Sequence, residues 1–444
     1  MALSDQAELK RKTIGAEQAA SMVKPDLWLE YGFGAGQPDL FDKALAMRIT
    51  KLHDVRIRGC LAMRPRAVIE ADPESRHSTY HSWYFSGLER KMHDRGLCCH
   101  IPMNFGEAPD YYRRFVDVDF AVLKTAPMDE HGFFNFGVSV TYHKAITERA
   151  KILIIETDEA MPYVYGVENG VHISDVNYVI DGGRSELPEL KNPPASEIDQ
   201  KVAAIIANEI HDGACVQIGI GAMPNSVCEL LAHSSIKDLG VHTEMFVDSL
   251  VDLYESGKVS GAHKRLNRYQ MAYCFAAGSS RMYKFLDRNP ACFAGPVDYT
   301  NLPHQIMQND NAVAICNAAQ IDLFGQVCSE TAGMRQISGT GGQLQFIRGA
   351  YASRGGKAFL CLASTYEREG KRVSRIVARI DDSNVVTTPR TDVMYVVTEY
   401  GIANLKGKSI RERAKALIGL AHPDFREQLE REAREYGILA RSIF

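Results

Sequence analysis

One pattern occurs twice in the 444 residues: an apolar strand, a glycine-rich turn, a helical segment and a second short strand. The first copy lies in residues 27–61, around the turn YGFGAGQP, and the second lies in residues 216–248, around the turn IGIGAMPN. Both turns read x-Gly-x-Gly-Ala, with a proline two or three residues later. A repeat of this kind predicts two homologous domains.

The repeat continues beyond the turns and divides the chain. Lys151–Glu156 in the first half corresponds to Lys357–Cys361 in the second half. We assign residues 1–185 and 196–444 to two copies of one α/β domain, joined by a Pro-, Gly- and Ser-rich linker, Gly182–Glu197. Strands that alternate with helices predict mainly parallel sheets covered by helices on both faces. Ligands bind beyond the carboxyl ends of strands in such sheets, and both glycine turns lie at such ends.

Composition excludes several classes of function. The net charge of −4 gives no basic field for nucleic acid, and no apolar run of about 18 residues predicts a membrane span. The polar start lacks the apolar core of a secretion signal. The ten cysteines are scattered apart from Cys98 and Cys99, which is typical of reduced thiols, so we expect a cytoplasmic protein. Cys98, Cys99 and His100 lack a second ligand pair, and no metal site is predicted.

A single carboxylate distinguishes the second copy of the pattern. Glu244 follows its second strand and is flanked by apolar Met245, Phe246 and Val247. The matching position in the first copy is Cys60, so the fold itself does not need a carboxylate there. A glutamate after a strand is ordinarily a surface or helix-capping residue. We hypothesise instead that Glu244 is a covalent nucleophile beside amide donors of the turn.

Two later stretches also lie where a ligand could bind. Gly341 and Gly342 precede a predicted helix, so their backbone amides could face an anion, or the segment could be a flexible surface loop. Glu399 follows the strand VMYVV, and the nearby Lys406 and Lys408 could contact phosphates or simply form a solvated face.

Other motifs fit less well. The turn at Gly219 lacks the third glycine of a dinucleotide fingerprint, because Pro224 stands there. Asp238 and Glu244 lie near the acidic position of that fingerprint, so a nucleotide-dependent oxidoreductase stays open as an alternative. No phosphate-binding GK[ST] sequence follows the turn, and no G-x-S-x-G sequence provides a nucleophilic serine.

Four segments together resemble one family. GIGAMPN, HTEMFVD, SGTGGQLQFIRGA and TEYGIANLKGKSIRERA, in this order, resemble the acetyl-CoA hydrolase/transferase family of family I CoA-transferases. The resemblance spans nearly the whole chain and implies the duplicated CoA-transferase fold. It departs from the family at Gln345, where many members have Asp.

The resemblance also implies roles for individual residues. Glu244 would be the nucleophile that forms a glutamyl-CoA thioester. The residues implied to line CoA and the reacting oxygen are Gly219, Ile220, Gly221, Ala222, Met223, Gly341 and Gly342. Asn317, Ser364 and Glu399 would approach the thioester or the pantetheine arm.

The predicted function is an acyl-CoA:carboxylate CoA-transferase with ping-pong kinetics. It would move CoA between acetyl-, butyryl- or succinyl-CoA and a small carboxylate such as 4-hydroxybutyrate, butyrate or itaconate. CoA is a substrate here; no tightly bound cofactor and no metal are expected, and a homodimer or larger homo-oligomer is expected. The alternatives are an acyl-CoA hydrolase that uses the same glutamate and a non-catalytic CoA sensor.

The first domain is expected to supply the acyl pocket. The candidate segments are Gly34–Pro38, His81–Gly87 and Met103–Pro109. Their bulky, largely apolar side chains, with Phe33, favour a short acyl group: Phe33, Trp83, Tyr84 and Phe105.

Overall fold

The computed structural model describes residues 3–191, 193–380 and 383–439. Its contacts divide the chain into two units. Unit 1 comprises Met1–Lys191, Glu244–Asp248 and Met271–Thr300. Unit 2 comprises Asn192–Thr243, Ser249–Gln270 and Asn301–Phe444.

Unit 1 contains a seven-stranded parallel sheet. Its strands are β1 (Trp28–Phe33), β2 (Val55–Cys60), β3 (Ser78–Ser82), β4 (Cys98–His100), β5 (Phe120–Thr125), β6 (Ile152–Thr157) and β7 (Tyr178–Asp181). They are arranged in the order β4-β3-β2-β1-β5-β6-β7. The helices of this unit are Leu3–Lys12, Ala16–Ser21, Leu40–Ala46, Ala67–Glu70, Gly87–Asp94, Ala108–Arg114, His143–Arg149 and Ser280–Leu286, with 3-10 turns at Gly34–Gly36, Ile49–Lys51, Phe105–Glu107 and Ile173–Asp175.

Unit 2 contains a six-stranded sheet. Its strands are β8 (Cys215–Ile218), β9 (Gly240–Val241), β10 (Ala312–Asn317), β11 (Lys357–Cys361), β12 (Tyr395–Thr398) and β13 (Gly401–Asn404). The order is β9-β8-β10-β11-β12-β13, and only β13 is antiparallel to its neighbour. Its helices are Glu197–Ala207, Ala222–His233, Pro303–Ile306, Gln343–Ala352, Ile410–Leu420 and Pro423–Glu435. Asp248–Glu255 and Val297–Asn301 are helices that begin in unit 1 and end in unit 2 along the chain.

Short strands complete both units. In unit 1, Phe133–Asn135 pairs with Gly170–His172, Met245–Phe246 with Phe275–Ala276, and Met271–Tyr273 with Cys292–Ala294. In unit 2, Gln320–Asp322 pairs with Val327–Cys328 and Ile376–Val377, Thr331–Ala332 with Arg335–Gln336, and Thr365–Arg368 with Lys371–Ser374.

The two main sheets share one strand order. The run β2-β1-β5-β6-β7 in unit 1 has the same spatial order of corresponding strands as the run β9-β8-β10-β11-β12 in unit 2, and both runs are parallel. Unit 1 adds β3 and β4 between β2 and β5 in the chain. The repeated turns follow the equivalent strands β1 and β8. The predicted α/β class with mainly parallel sheets is therefore confirmed.

The division into units differs from the sequence-based domain boundary at two segments. Two segments of the predicted second domain belong to unit 1, namely Glu244–Asp248 and Met271–Thr300. The physical reason is strand pairing, because Met245 pairs with Phe275, and Phe275 in turn bridges to Ser139 of unit 1. Pairings between residues so far apart in the chain leave no local sequence signal.

Each unit has its own apolar core. In unit 1 the core includes Leu29, Phe41 and Phe120, and in unit 2 it includes Ile321 and Leu417. All ten cysteines are free, and Cys99 alone is exposed. Among the described residues, no helix combines the length and the apolar character needed to cross a membrane.

Candidate functional site

The carboxyl edge of the unit 2 sheet gathers several of the predicted residues. Strands β8, β10, β11 and β12 are adjacent and parallel, and Ile218 pairs with Ile315, Asn317 with Cys361, and Cys361 with Val397. The strand ends are thus nearly level. The residues that end or follow these strands come to one edge: Gly219, Asn317, Ser364 and Glu399.

The glycine turn at this edge leads from β8 into the helix Ala222–His233. Gly221 has φ of 121°, in the region that favours glycine. A Cβ added there would lie 4.0 Å from Nδ2 of Asn317, so that amide lies beside the turn. Gly221 begins the helix without any side-chain capping bond. The first amides of the helix are therefore available to an anionic or partially negative ligand atom.

Two other residues of the turn differ in exposure. Ile220 is 39% exposed, whereas Met223 is 5% exposed and packs in the interior. Met223 can therefore contribute its backbone amide to a ligand, but its side chain belongs to the core.

In unit 1 the equivalent helix start is already occupied. The carboxylate of Glu156 accepts hydrogen bonds from the amides of Asp39 (2.7 Å), Leu40 (3.1 Å) and Phe41 (2.9 Å). Glu156 is 1% exposed. Counting from the matched Lys151 and Lys357, the position of Glu156 is taken in unit 2 by the apolar Leu362. In unit 1 the amides at the start of this helix bind the protein's own carboxylate, Glu156. In unit 2 the corresponding residue, Leu362, has no carboxylate to offer.

A second uncapped helix start follows Gly341 and Gly342. Gly341 has φ of 55°, and no capping bond from a side chain is present where the helix Gln343–Ala352 begins. Gln345, where the sequence departs from the family, is 5% exposed within this helix. The helix joins β10 to β11, so its first turn lies toward the carboxyl edge of the sheet.

Glu330 holds the loop in front of this helix, a role that the sequence did not reveal. The carbonyl of Glu330 accepts from the amides of Ile337 (2.8 Å) and Ser338 (3.2 Å). Its carboxylate accepts from the hydroxyls of Thr340 and Thr387, both at 3.1 Å. The glycines alone marked this loop in the sequence, because Glu330 lies outside the glycine-rich stretch.

Ser364 and Glu399 form one contact at the edge. The amide of Ser364 donates to Glu399 at 2.8 Å, and its hydroxyl donates to the other carboxylate oxygen. Ser364 is fully buried and Glu399 is half-buried. This pairing orients a carboxylate at the ligand side of β12.

Lys406, which follows β13, lies elsewhere. Because β13 is antiparallel to β12, Asn404 pairs with Tyr395 at the start of β12, which is the amino end of the sheet. Lys406 follows Asn404, donates to the carbonyl of Thr391 at 2.7 Å and lies 4.1 Å above the ring of Tyr351. The structure therefore places Lys406 away from the carboxyl edge, contrary to the phosphate contact considered from the sequence.

Glu244 belongs to unit 1 and is half-buried there. Its carbonyl accepts from the amides of Cys274 (3.0 Å) and Phe275 (3.3 Å). The next residues, Met245 and Phe246, are buried. Burial, with a further contribution from the Glu244 charge, raises the pKa of the Cys274 thiol well above its usual range. The Glu244 carboxylate therefore lies close enough to the buried Cys274 thiol to affect its titration, and its neighbours in the chain are buried and apolar.

An aromatic cluster of unit 1 adjoins the backbone of Glu244. The ring of Phe275 lies 4.6 Å from that of Phe33, which stacks on Phe105 at 5.2 Å. Tyr142 packs edge-on against both Phe33 and Phe105 and accepts a hydrogen bond from Trp83 Nε1 at 3.2 Å. Three of the side chains expected to line an acyl pocket are therefore gathered here. Phe275 and Tyr142 were missed, because they are distant in sequence from the glycine turn.

Glu244 also follows directly on a residue attached to β8. The amide of His242 donates to the carbonyl of Val216 at 3.1 Å, and the hydroxyl of Thr243 donates to that of Ile218 at 3.3 Å. Thr243 is the last residue of this segment in unit 2, and Glu244 is the next residue in the chain. The candidate nucleophile is thus one peptide bond away from a residue fixed at the carboxyl edge.

Comparison with known proteins gives one consistent result. The acetyl-CoA hydrolase/transferase N-terminal domain matches residues 2–186, and the C-terminal domain of the same name matches residues 278–433. Butyryl-CoA:acetate CoA-transferase of Anaerostipes caccae is 45% identical over 99% of this chain and 100% of its own length. 4-Hydroxybutyrate coenzyme A transferase of Clostridium kluyveri is 37% identical over 96% and 98%. The crystal structure of RipA from Yersinia pestis is 36% identical, with a TM-score of 0.90 over 98% of this chain and 100% of RipA.

Proposed function

The chain belongs to the acetyl-CoA hydrolase/transferase family, and on that premise we propose that it is an acyl-CoA:carboxylate CoA-transferase whose nucleophile is Glu244. It moves CoA between a short acyl-CoA and a small carboxylate. The observation that carries the proposal is the setting of Glu244: a half-buried carboxylate followed by buried apolar residues, with its carbonyl fixed by two amides. A carboxylate attacks well only when it is poorly solvated and held in place.

The reaction proceeds by two exchanges at carbonyl carbon. A Glu244 oxygen attacks the thioester carbonyl, the C–S bond breaks, and an acyl-glutamyl anhydride and CoA thiolate form. The thiolate then attacks the glutamyl carbonyl, which releases the acyl group as a carboxylate and leaves a glutamyl-CoA thioester. A second carboxylate reverses these steps. The thioester bond is conserved throughout, so these steps need neither ATP nor a metal.

Each step develops negative charge on a carbonyl oxygen. The uncapped amides that begin the helix Ala222–His233 and the amide of Asn317 support the assignment of an oxyanion site there. The role assigned to Gly219–Met223 is therefore carried by backbone groups, with the glycines allowing close approach.

CoA binding is assigned to the other residues of the same edge. The open helix start after Gly341 and Gly342 suits a negatively charged or carbonyl group of CoA. The fixed carboxylate of Glu399, held by Ser364, suits an amide donor of the pantetheine arm.

The acyl group is assigned to the aromatic cluster around Phe33, Phe105 and Phe275. These side chains are at most 5% exposed and pack on one another, so an acyl group placed beside them would contact an apolar surface with little room for a long chain. This supports butyryl or acetyl groups more than long chains, and matches the butyryl-CoA:acetate pair named for one relative. The nine buried free cysteines support a reducing compartment such as the cytoplasm.

Covalent trapping tests the proposal. The protein is incubated with butyryl-CoA without an acceptor, treated with borohydride or hydroxylamine, and digested for mass spectrometry. We expect the peptide that contains Glu244 to be reduced or derivatised, and the same peptide of Glu244→Gln to be unmodified. An unmodified Glu244 in a preparation that turns over would reject the mechanism.

An assay with and without an acceptor distinguishes CoA transfer from hydrolysis. Loss of butyryl-CoA is followed with acetate, with succinate and with no acceptor. Transfer requires that the loss depend on the added carboxylate, whereas equal loss without an acceptor would assign the protein as a hydrolase.

A further inference from the structure

A buried lysine of unit 2 joins two segments that lead to Glu244 and to its backbone partners. Lys264 is 4% exposed, and its ammonium donates to the carbonyls of Val241 and Gln270, both at 2.6 Å. Among the residues that the structure describes, no carboxylate forms an ion pair with it. The positive charge is therefore held by main-chain oxygens alone.

The two carbonyls precede points at which the chain passes from unit 2 to unit 1. Val241 lies three residues before Glu244, and the passage occurs between Thr243 and Glu244. Gln270 is the last residue of its segment in unit 2, and it lies four residues before Cys274. In unit 1 the amides of Cys274 and Phe275 bind the carbonyl of Glu244. The ammonium of Lys264 thus connects the segment that leads to Glu244 with the segment that leads to Cys274, whose amide binds the Glu244 carbonyl.

The local structure is built around this lysine. A Cβ at Gly240 would come within 2.6 Å of Cγ of Lys264, so the glycine in β9 leaves the room that the lysine stem occupies. The amide of Lys264 donates to Gly261, and the amide of Gly261 donates to Leu239, which fixes the loop to the start of β9. Burial lowers the pKa of Lys264 to about 8, which reflects the cost of keeping a cation there.

The two hydrogen bonds of the ammonium offset part of the cost of burying it, and its removal would leave both carbonyls without this donor. The two bonds also restrict the backbone of the segments that lead to Glu244 and to its partner Cys274. A displacement of about 1 Å at a reacting group lowers a rate by roughly 100-fold, so backbone restriction matters most at a nucleophile.

We propose that Lys264 is a positioning residue for Glu244, which fixes the two chain segments that set the backbone of the nucleophile. The inference rests on the proposed function, because it assumes that Glu244 reacts.

Lys264→Met tests it, since methionine fills the same space without a donor. We expect the rate of covalent modification of Glu244 by butyryl-CoA to fall by roughly 10- to 100-fold. The dissociation constant for free CoA should stay within about 2-fold, although the thermal midpoint should fall, because the carbonyls of Val241 and Gln270 lose this donor. Lys264→Arg, which keeps the donors, should lose less of the rate than Lys264→Met, and this order holds even where methionine weakens folding.

Lys357→Met is the matched control. Lys357 donates to the carbonyl and carboxylate of Glu209 in the same unit, away from both passages of the chain. In Lys357→Met, the rate at which butyryl-CoA modifies Glu244 should equal that of the wild type.

The outcomes separate the two hypotheses. A wild type that reacts at Glu244 and a Lys264→Met variant that reacts equally fast would overturn the role of Lys264 alone. A parallel loss of CoA affinity and modification rate would also overturn it, because the lysine would then support the whole unit. A wild type that turns over without modification at Glu244 would overturn the proposed function, and this inference with it.

Discussion

Ser364 fixes the carboxylate of Glu399 through two hydrogen bonds, from its amide at 2.8 Å and from its hydroxyl. The serine and the glutamate follow neighbouring parallel strands, β11 and β12, so the contact is made at the edge where the sheet would receive CoA. If Glu399 binds the pantetheine arm, its orientation affects CoA affinity more than the chemical step.

Ser364→Ala should therefore act mainly on KM. The variant keeps the amide bond and loses a hydroxyl bond to a charged group, which is worth about 2 kcal/mol. We expect KM for acyl-CoA to rise by roughly 10-fold with little change in kcat, measured by steady-state kinetics at saturating acetate. Ser256→Ala is the control, because Ser256 donates to the carbonyl of Leu253 just after the helix Asp248–Glu255. A change confined to kcat would contradict the assignment.

Glu244→Asp should lose at least roughly 100-fold in kcat, because shortening the side chain by one methylene moves the reacting oxygen away from the thioester. The measurement is acetate-dependent turnover of butyryl-CoA. Glu229→Asp, an exposed position in the helix Ala222–His233, should be indistinguishable from the wild type. Near-normal turnover of Glu244→Asp would count against Glu244 as nucleophile.

Phe105→Leu should widen the range of acyl groups. Phe105 stacks on Phe33, and a smaller side chain would lengthen the space beside Phe275. We expect the ratio of kcat/KM for hexanoyl-CoA to that for butyryl-CoA to rise by about 10-fold. Phe120→Leu is the control, since Phe120 is also buried in the same unit and packs on Phe41 instead. An unchanged ratio in Phe105→Leu would place the acyl group elsewhere.

The sequence predicted those parts of the site that depend on local pattern. Gly219, Asn317 and Glu399 end or follow apolar strands, and parallel strands bring their carboxyl ends to one edge. The repeat also predicted the α/β class, because the same succession of strand, turn, helix and strand occurs at similar spacing in both halves of the chain. The sequence left open whether Lys406 contacts a phosphate or belongs to a solvated face, because it did not show that β13 turns back antiparallel.

The features of the site that the sequence did not predict depend on contacts between residues that are far apart in the chain. Glu244 lies in unit 1 because Met245 pairs with Phe275, and the backbone hydrogen bonds that form this contact are independent of side-chain identity. Lys264 binds main-chain carbonyls, which every residue possesses, so the residue types of its partners gave no sequence signal. Glu330 lies outside the glycine-rich stretch, which alone marked its loop in the sequence.

Glu156→Ala should destabilise unit 1 and leave the chemistry of the active site intact. The variant removes the partner of three amides, of which that of Phe41 is buried, and of Lys124, whose nitrogen lies 4.0 Å from the carboxylate. We expect the free energy of unfolding to fall by about 3 kcal/mol in urea titrations. Glu159→Ala, at an exposed position three residues later, should change it by less than about 0.5 kcal/mol. Equal stability of the two variants would show that the helix start in unit 1 does not need its carboxylate.

His143 should make the protein sensitive to mild acid. It is fully buried beneath the glycine turn of unit 1, where its Nε2 accepts from the amide of Phe33 at 3.1 Å, and burial lowers its pKa to about 3. The unfolded chain binds a proton at His143 below about pH 6.5, whereas the folded chain does not do so until about pH 3, so folding stability falls as pH falls through this range. Between about pH 7 and about pH 5 the loss due to this residue is about 2 kcal/mol.

His143→Gln should remove that part of the pH dependence, since glutamine can accept from the amide of Phe33 without titrating. The measurement compares urea unfolding at about pH 7 and about pH 5 in the wild type, in His143→Gln and in His131→Gln, where the substituted histidine is exposed. The wild type and His131→Gln should lose stability alike, and His143→Gln should lose about 2 kcal/mol less. An equal loss in all three would mean that His143 is protonated in the folded protein at about pH 5, and that the turn at Phe33 tolerates the loss of its acceptor.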